Sequence, residues 1–199
     1  MDCTALLSKE FGIAPPLVEN IIALIDEGNT IPFIARYRKE RTGSCDDQTL
    51  RALADRLAYL RGLQKRREEV LSAIGEQGKL TESLAADIAA AETLARLEDI
   101  YRPYKQKRRT RATVARERGL EPLAQLLLAQ DQTSGSVEAL AAPYASAEKD
   151  VPTAADAISG ACDIIAEQIS DSAEGRARLR DYYWRNARLC STAVDSDKE

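Results

Sequence analysis

An all-α fold follows from four features of this 199-residue chain. Aromatic residues make up only 5% of it. Its β-branched residues rarely alternate with polar ones, so the period-two pattern of a half-buried strand is missing. Leu50, Leu53, Leu57 and Leu60 recur at three- and four-residue spacing, the period of a buried helix face. Pro and Gly fall where helices begin and end, as at Pro15-Pro16, Gly28, Pro32, Gly43 and Gly78. The expected architecture is an irregular, elongated multi-helix assembly with one long central helix and helix-turn-helix-like pairs.

Residues 2–11 form a short helix closed by Gly12. Pro15 and Pro16 open a second, which turns Leu17, Val18, Ile21, Ile22, Leu24 and Ile25 to the core until Gly28-Asn29 stops it. The stretch from Ile31 to Gly43 is apolar at its start and basic at its end. It reads as one short helix buried by Ile31, Phe33, Ile34 and Tyr37, with Arg36, Arg38, Lys39 and Arg41 either solvated or forming an anion-binding face. A long helix follows from near Asp46 to about Gln77. At 1.5 Å per residue it spans about 45 Å, enough for a strut. Its leucine seam resumes at Leu71 and Ile74, with Gln64 and Arg67 between, which suggests two packing surfaces.

Thr81 caps a helix through about Ala90, and Thr93 caps another that Pro103 ends. Tyr104 to Arg111 has no apolar period and reads as a loop. Thr113 to Ala124 offers a helix, a turn at Gly119 and a Pro122-started helix. Ala115 four residues before Gly119 matches the tight turn of DNA-binding helix-turn-helix units. The run after Pro122 (Leu123, Leu126, Leu127, Leu128) is nevertheless more suited to packing than to reading a groove. Residues 131–136 read as a surface loop. Thr153 caps a last long helical region with Ile158, Cys162, Ile165 and Ile169 on its core face. Leu179, Tyr182, Tyr183 and Trp184 extend an apolar face into a further helix, and the pattern frays after Arg188. That face lacks a closing element, which points to a fragment. The organisation is a short-helix N-terminal subdomain over 1–45, a long helix with a basic loop and helix-turn-helix-like pair over 46–130, and a C-terminal helical region over 131–199, truncated from a longer protein.

Composition excludes much chemistry. The chain has no His, so it holds no Ser-His-Asp or Cys-His pair and no His-ligated zinc. Cys3, Cys45, Cys162 and Cys190 lie far apart, so no CxxC pair exists for a metal or for thioredoxin chemistry. There is no P-loop, GxGxxG or GxSxG, and no regularly spaced acidic cluster is expected. No catalytic residue, metal or cofactor is expected. The first residues carry no basic and apolar leader, and no run approaches the roughly 18 apolar residues of a membrane span. Reduced thiols in a cytoplasmic protein that does not contact a membrane are the expectation.

Charge is unevenly spread. The chain carries a net −4, yet Arg102 to Arg118 holds eight cations (Arg102, Lys105, Lys107, Arg108, Arg109, Arg111, Arg116, Arg118) against Glu117 alone. That island is +7, leaving −11 on the remainder. Cations this close repel one another within the roughly 8 Å screening length at physiological salt. Phosphate backbones relieve such repulsion and release counterions. Arg predominates, which suits bidentate phosphate contacts and stacking, and Tyr101 and Tyr104 flank the island as candidates to stack on an unpaired base. Lys105, Lys107, Arg108, Arg109 and Arg111 are the candidate phosphate contacts. Arg36, Arg38, Lys39 and Arg41 form a second, weaker candidate set. Nothing supplies a base-specific reader, so RNA or DNA would be bound through its backbone. Two other readings stay open: the island docks on an acidic protein surface, or it is solvated without a role.

Two long motifs carry a resemblance. IPFIARYRKERTG (31–43) and LEDIYRPYKQKRRTRATVARERGLEPLA (97–124), with GEQGKLTESL (75–84) and ACDIIAEQI (161–169), resemble the N-terminal region of the Tex family of bacterial transcription accessory proteins. The resemblance covers nearly the whole chain. It implies a longer protein with an elongated helical scaffold, a RuvC-like nuclease-fold domain regarded as inactive, helix-hairpin-helix elements and a C-terminal OB-fold RNA-binding domain. It implies nucleic-acid binding coupled to transcription, with a tie to mRNA and translation, and no catalysis. The implied partners are nucleic acid, the transcription machinery or ribosome, and the remaining C-terminal domains of the full-length protein. The competing expectation is a protein-interaction scaffold that docks other domains of the same protein or RNA polymerase.

Overall fold

The computed structural model describes residues 2–131 and 135–192, and the described residues form twelve α-helices and no strand. The helical periods and the Pro and Gly punctuation are therefore expressed as an all-α fold. Expectations for 132–134, within the 131–136 loop, and for the tail from 193 lie outside the described residues. The chain divides into two compact units, Met1–Leu94 and Ala95–Glu199.

The first unit is built around α5 (Asp47–Glu76). Before it come α1 (Cys3–Phe11), α2 (Pro15–Asp26), α3 (Ile31–Tyr37) and the single turn α4 (Lys39–Thr42). Local chemistry starts and stops them. Asp2 accepts from the Ala5 amide at 3.1 Å and Asp46 from the Thr49 amide at 2.6 Å, each satisfying an orphan helix donor. Gly12 takes the left-handed conformation after α1, at φ +65°. Leu7, Val18, Ile21, Leu24 and Ile34 then bury against Leu50, Leu53, Leu57 and Leu60 of α5.

Two details differ from the sequence reading. The α5 seam does not lapse in its middle: Leu63, Arg67, Val70 and Ile74 continue it as buried residues. Arg67 can sit there because its Nη2 donates to the Ala91 carbonyl at 2.7 Å, just beyond α6 (Glu82–Ala90). The 31–43 segment is two helices, not one. Arg38, at φ −129° and ψ +29°, leaves the helical region and bends the chain. Of its apolar residues only Ile34 is fully buried, while Phe33 and Tyr37 are exposed.

The second unit contains most of α7 (Leu94–Tyr101), then α8 (Arg111–Glu117), α9 (Glu121–Ala129), α10 (Val137–Ala141), α11 (Ala154–Asp171) and α12 (Ala173–Asn186). A 3-10 turn over Arg102–Tyr104 precedes the basic stretch, and residues 105–110 are an irregular loop, as read from sequence. Thr110 caps α8 by accepting from the Thr113 amide. Thr153 and Asp156 form a reciprocal capping box that starts α11. α8, α9 and α10 pack on α11 through Ala112, Ala115, Leu123, Ala124 and Ala141. The α8–Gly119–α9 turn thus serves packing, with Leu123 and Ala124 of the second helix buried.

The buried stripe of α11 is Ala157, Ala161 and Ile164, rotated by one residue, or about 100°, from the one expected. Small side chains win over the β-branched row because they admit a close neighbour. A Cβ on Gly160 would lie 2.4 Å from Leu120 Cδ1. Cys162 is consequently exposed rather than core, and Ile169 is exposed too.

Candidate nucleic-acid interface

The basic island is laid against an acidic stripe of its own unit. Asp163, Glu167 and Asp171 stand at i, i+4 and i+8 of α11, hence on one face. Arg111 Nε lies 3.5 Å from Asp163 Oδ1. Arg116 donates to Glu167 at 2.6 Å and to Glu121 at 2.8 Å. Lys107 bridges Asp171 and Glu167, and Arg102 donates to Asp171 at 3.2 Å. Lys105 pairs with Glu98, Arg109 with Glu117 at 2.7 Å, and Arg118 with Asp150. Arg108 is in no ion pair among the described residues. Lys105 also places its ammonium over the Tyr101 ring, 5.4 Å from the centroid, where a base would have to stack.

Burial differs along the stripe. The Glu167 and Asp171 side chains are 15% exposed, whereas Arg109 and Arg111 remain largely in water. Burial pushes the Glu167 carboxyl up. Hydrogen bonds from Arg116 and Thr110, with the charges of Lys107 and Arg116, outweigh it, so the pKa falls below the ordinary carboxylate value. The bond to Glu167, with a second to Glu121, raises the Arg116 pKa against the opposing effect of burial. A cleft of about 610 Å³ beside α8 is lined by Arg109, Arg111 and Arg118 and equally by Asp150, Asp156 and Asp163, a balance of charge that does not favour an anion. Of the five island residues expected to grip phosphate, Lys105, Lys107, Arg109 and Arg111 are thus already engaged by carboxylates.

The second set sits in the first unit, at the elbow between α3 and α4. Arg36 and Lys39 are exposed and are in no ion pair among the described residues. Arg38 lies over the Phe33 ring, 5.3 Å from its centroid, and Arg41 is 3.9 Å from Glu27. Phe33 and Tyr37, four residues apart on α3, have ring centroids 5.3 Å apart at a 45° tilt. Tyr37 is 57% exposed. Four cations (Arg36, Arg38, Lys39, Arg41) meet the single acid Glu40 in this segment, a net +3.

Sequence reasoning missed a third cluster. Asp99 of α7 is 3% exposed and accepts from Arg176 Nε at 2.7 Å and Arg180 Nη2 at 2.6 Å. The two arginines are one helical turn apart on α12, which readies both for one carboxylate. Burial would raise the Asp99 pKa, but hydrogen bonds from Arg180 and Arg176 hold it below the ordinary value. A separation of 77 and 81 residues left no local signal of this clamp. The α11 stripe was missed as well, since no regularly spaced acidic cluster was expected, although D-x3-E-x3-D from Asp163 to Asp171 is its local signal.

Residues 1–75 match the model of the Tex-like protein N-terminal domain, and residues 132–199 match that of the Tex central region. "Protein YhgF" of Escherichia coli (strain K12) is 48% identical over 194 residues, covering 98% of this chain and 25% of that protein. The chain belongs to the Tex-like family. The "Transcriptional accessory protein Tex" of Neisseria gonorrhoeae is 46% identical over 195 residues, 98% of this chain and 25% of the relative. Human "S1 RNA-binding domain-containing protein 1" is 38% identical over 128 residues, 64% of this chain and 13% of that protein. The chain therefore spans about a quarter of the length of these bacterial Tex-like relatives. The elbow falls inside the Tex-like N-terminal match, while the basic island lies between the two matched regions. Among the described residues, no helix is long and apolar enough to cross a membrane.

Proposed function

We propose that this chain is a non-catalytic, nucleic-acid-binding helical region of a cytoplasmic Tex-like transcription accessory protein, and that it grips the phosphate backbone without reading base identity. One observation carries the reading. The fold pairs every island cation but Arg108 with its own carboxylates, yet among the described residues Arg36 and Lys39 are in no ion pair, on a chain of net −4. Acids are abundant, so cations kept apart from them are available to an outside anion. The elbow is the primary contact and the island a secondary one, reached only by competing with Glu167 and Asp171. Family membership supports the transcriptional setting, and the absence of His supports a binding rather than catalytic role.

The test is fluorescence anisotropy of labelled single-stranded RNA and duplex DNA at about 50 mM and about 200 mM salt. Engagement of about three elbow cations gives a log K against log[salt] slope of about −2 on a single strand. Changing Arg36, Arg38, Lys39 and Arg41 to Ser abolishes affinity and slope. Changing Lys105, Lys107, Arg108, Arg109 and Arg111 to Ser has the smaller effect. If both variants bind as wild type does, the proposal fails.

A second reading has its own observation. Leu179, Tyr182, Tyr183 and Trp184 of α12 are 57–90% exposed, a surface suited to docking other domains of the longer protein or RNA polymerase. Protein capture that survives the elbow changes but is lost on Tyr182→Ala with Trp184→Ala would favour it.

A further inference from the structure

We infer that the α3–α4 elbow takes an unpaired nucleic-acid strand, with a base stacked on the Phe33–Tyr37 pair and the neighbouring phosphates held by Arg36, Arg38 and Lys39. The inference rests on the nucleic-acid reading above and narrows it to single strands at one site.

Helical spacing assembles the surface. Phe33, Arg36 and Tyr37 stand at i, i+3 and i+4 and so share one face of α3. Ile34, fully buried, fixes the opposite orientation by anchoring the helix to the core of its unit. The two rings therefore point away from that core, and both are exposed. The bend at Arg38 returns the chain toward them. It sets the Arg38 guanidinium over Phe33 at 5.3 Å and begins α4 with Lys39.

Tyr37, 57% exposed, recovers only part of its apolar cost against Phe33, and a planar partner of the right polarity removes the rest. Bases are such partners: stacking on aromatic side chains tolerates any base, and Arg adds cation–π attraction. The backbone of the same strand brings phosphates to the flanking cations. A duplex satisfies only the second demand, because its bases are already stacked on one another. Arg38 lies over Phe33 much as Lys105 lies over Tyr101, so the ring left open at the elbow is Tyr37, beside Arg36 and Lys39, which are in no ion pair among the described residues.

The experiment compares three labelled probes on the intact chain: an oligouridine, an abasic strand with the same number of phosphates, and a duplex. Variants are Tyr37→Ala, Tyr37→Phe and Phe33→Leu, each checked for an unchanged helical melting curve. The expected result is about ten-fold tighter binding of oligouridine than of the abasic strand, a gap lost in Tyr37→Ala, reduced in Phe33→Leu and kept in Tyr37→Phe. Duplex affinity stays the same in all of them. Equal binding of oligouridine and abasic strand, or an unchanged gap in Tyr37→Ala, overturns the stacking site while leaving backbone binding intact. No binding of any probe overturns the nucleic-acid reading and this inference together.

Discussion

Asp99 shows how one residue can hold a terminal element. Among the described residues α12 has no buried side chain, so its attachment leans on polar contacts such as the Asp99 clamp and the bond from Arg96 Nη1 to the Ala173 carbonyl at 3.3 Å. The two arginines are partly exposed, so the loss in Asp99→Asn is that of charged hydrogen bonds rather than of a fully buried pair, about 2 kcal/mol. Its pH dependence has a fixed sign. A carboxylate whose pKa is depressed by folding stabilises fully above its unfolded value and loses that contribution as pH falls through the lowered one. Melting curves of wild type and Asp99→Asn are therefore expected to differ at neutral pH and to converge on acidification below about pH 4. A gap that stays constant into acid would show that the charge is not what matters.

At the scale of elements, the α11 interface turns on Gly160. Helix propensity alone favours Ala there by about 1 kcal/mol. The Leu120 side chain, 1% exposed, occupies the space that the new Cβ would need. Overpacking of this kind costs about 1–3 kcal/mol. Gly160→Ala is expected to destabilise the chain in the wild-type background and to stabilise it when Leu120 is Ala, a reversal of sign that denaturant titration of the four proteins would read. The same helix explains what sequence reading placed only in part: Ile158 and Ile165 pack at the edge of the core, whereas Cys162 and Ile169 are exposed. Ile158, Cys162, Ile165 and Ile169 form a fair apolar row, but close approach of α8 and Leu120 is possible only over Ala157, Gly160 and Ala161. Periodicity reports that a helix has a core face. Which of two adjacent rows it is depends on the shape of a partner far away in sequence.

For the molecule as a whole, charge segregation is the organising fact, and the fold treats its two cationic clusters differently. Neutralising the acidic stripe by Glu167→Gln and Asp171→Asn is expected to release Lys107, Arg102 and one arm of Arg116. Polyanion affinity should rise several-fold and the salt slope should steepen by about 1 per freed cation on a duplex. Unchanged affinity in that variant would mean that the island is docked for structure and does not compete for phosphate. The cations of these pairs are 30–44% exposed, so an outside phosphate can reach them and the stripe is a competitor and not a lock.

The sequence by itself determined the helical class, most helix boundaries and the family. Those depend on local periods, caps and Pro or Gly stops, which act within a few residues. It also located both cation clusters, because charge is composition. It did not determine which cations face an outside anion. Lys105, Lys107, Arg109 and Arg111 and the elbow residues Arg36 and Lys39 look alike along the chain. Only tertiary structure decided that α11 carboxylates from about 50 to 65 residues away meet Lys107 and Arg111 and that the bend at Arg38 leaves Arg36 and Lys39 beside the exposed Tyr37 ring. The physical reason is range: a helix forms from neighbours, whereas the electrostatic fate of a charged side chain is settled by whatever the completed fold sets within a few ångströms of it.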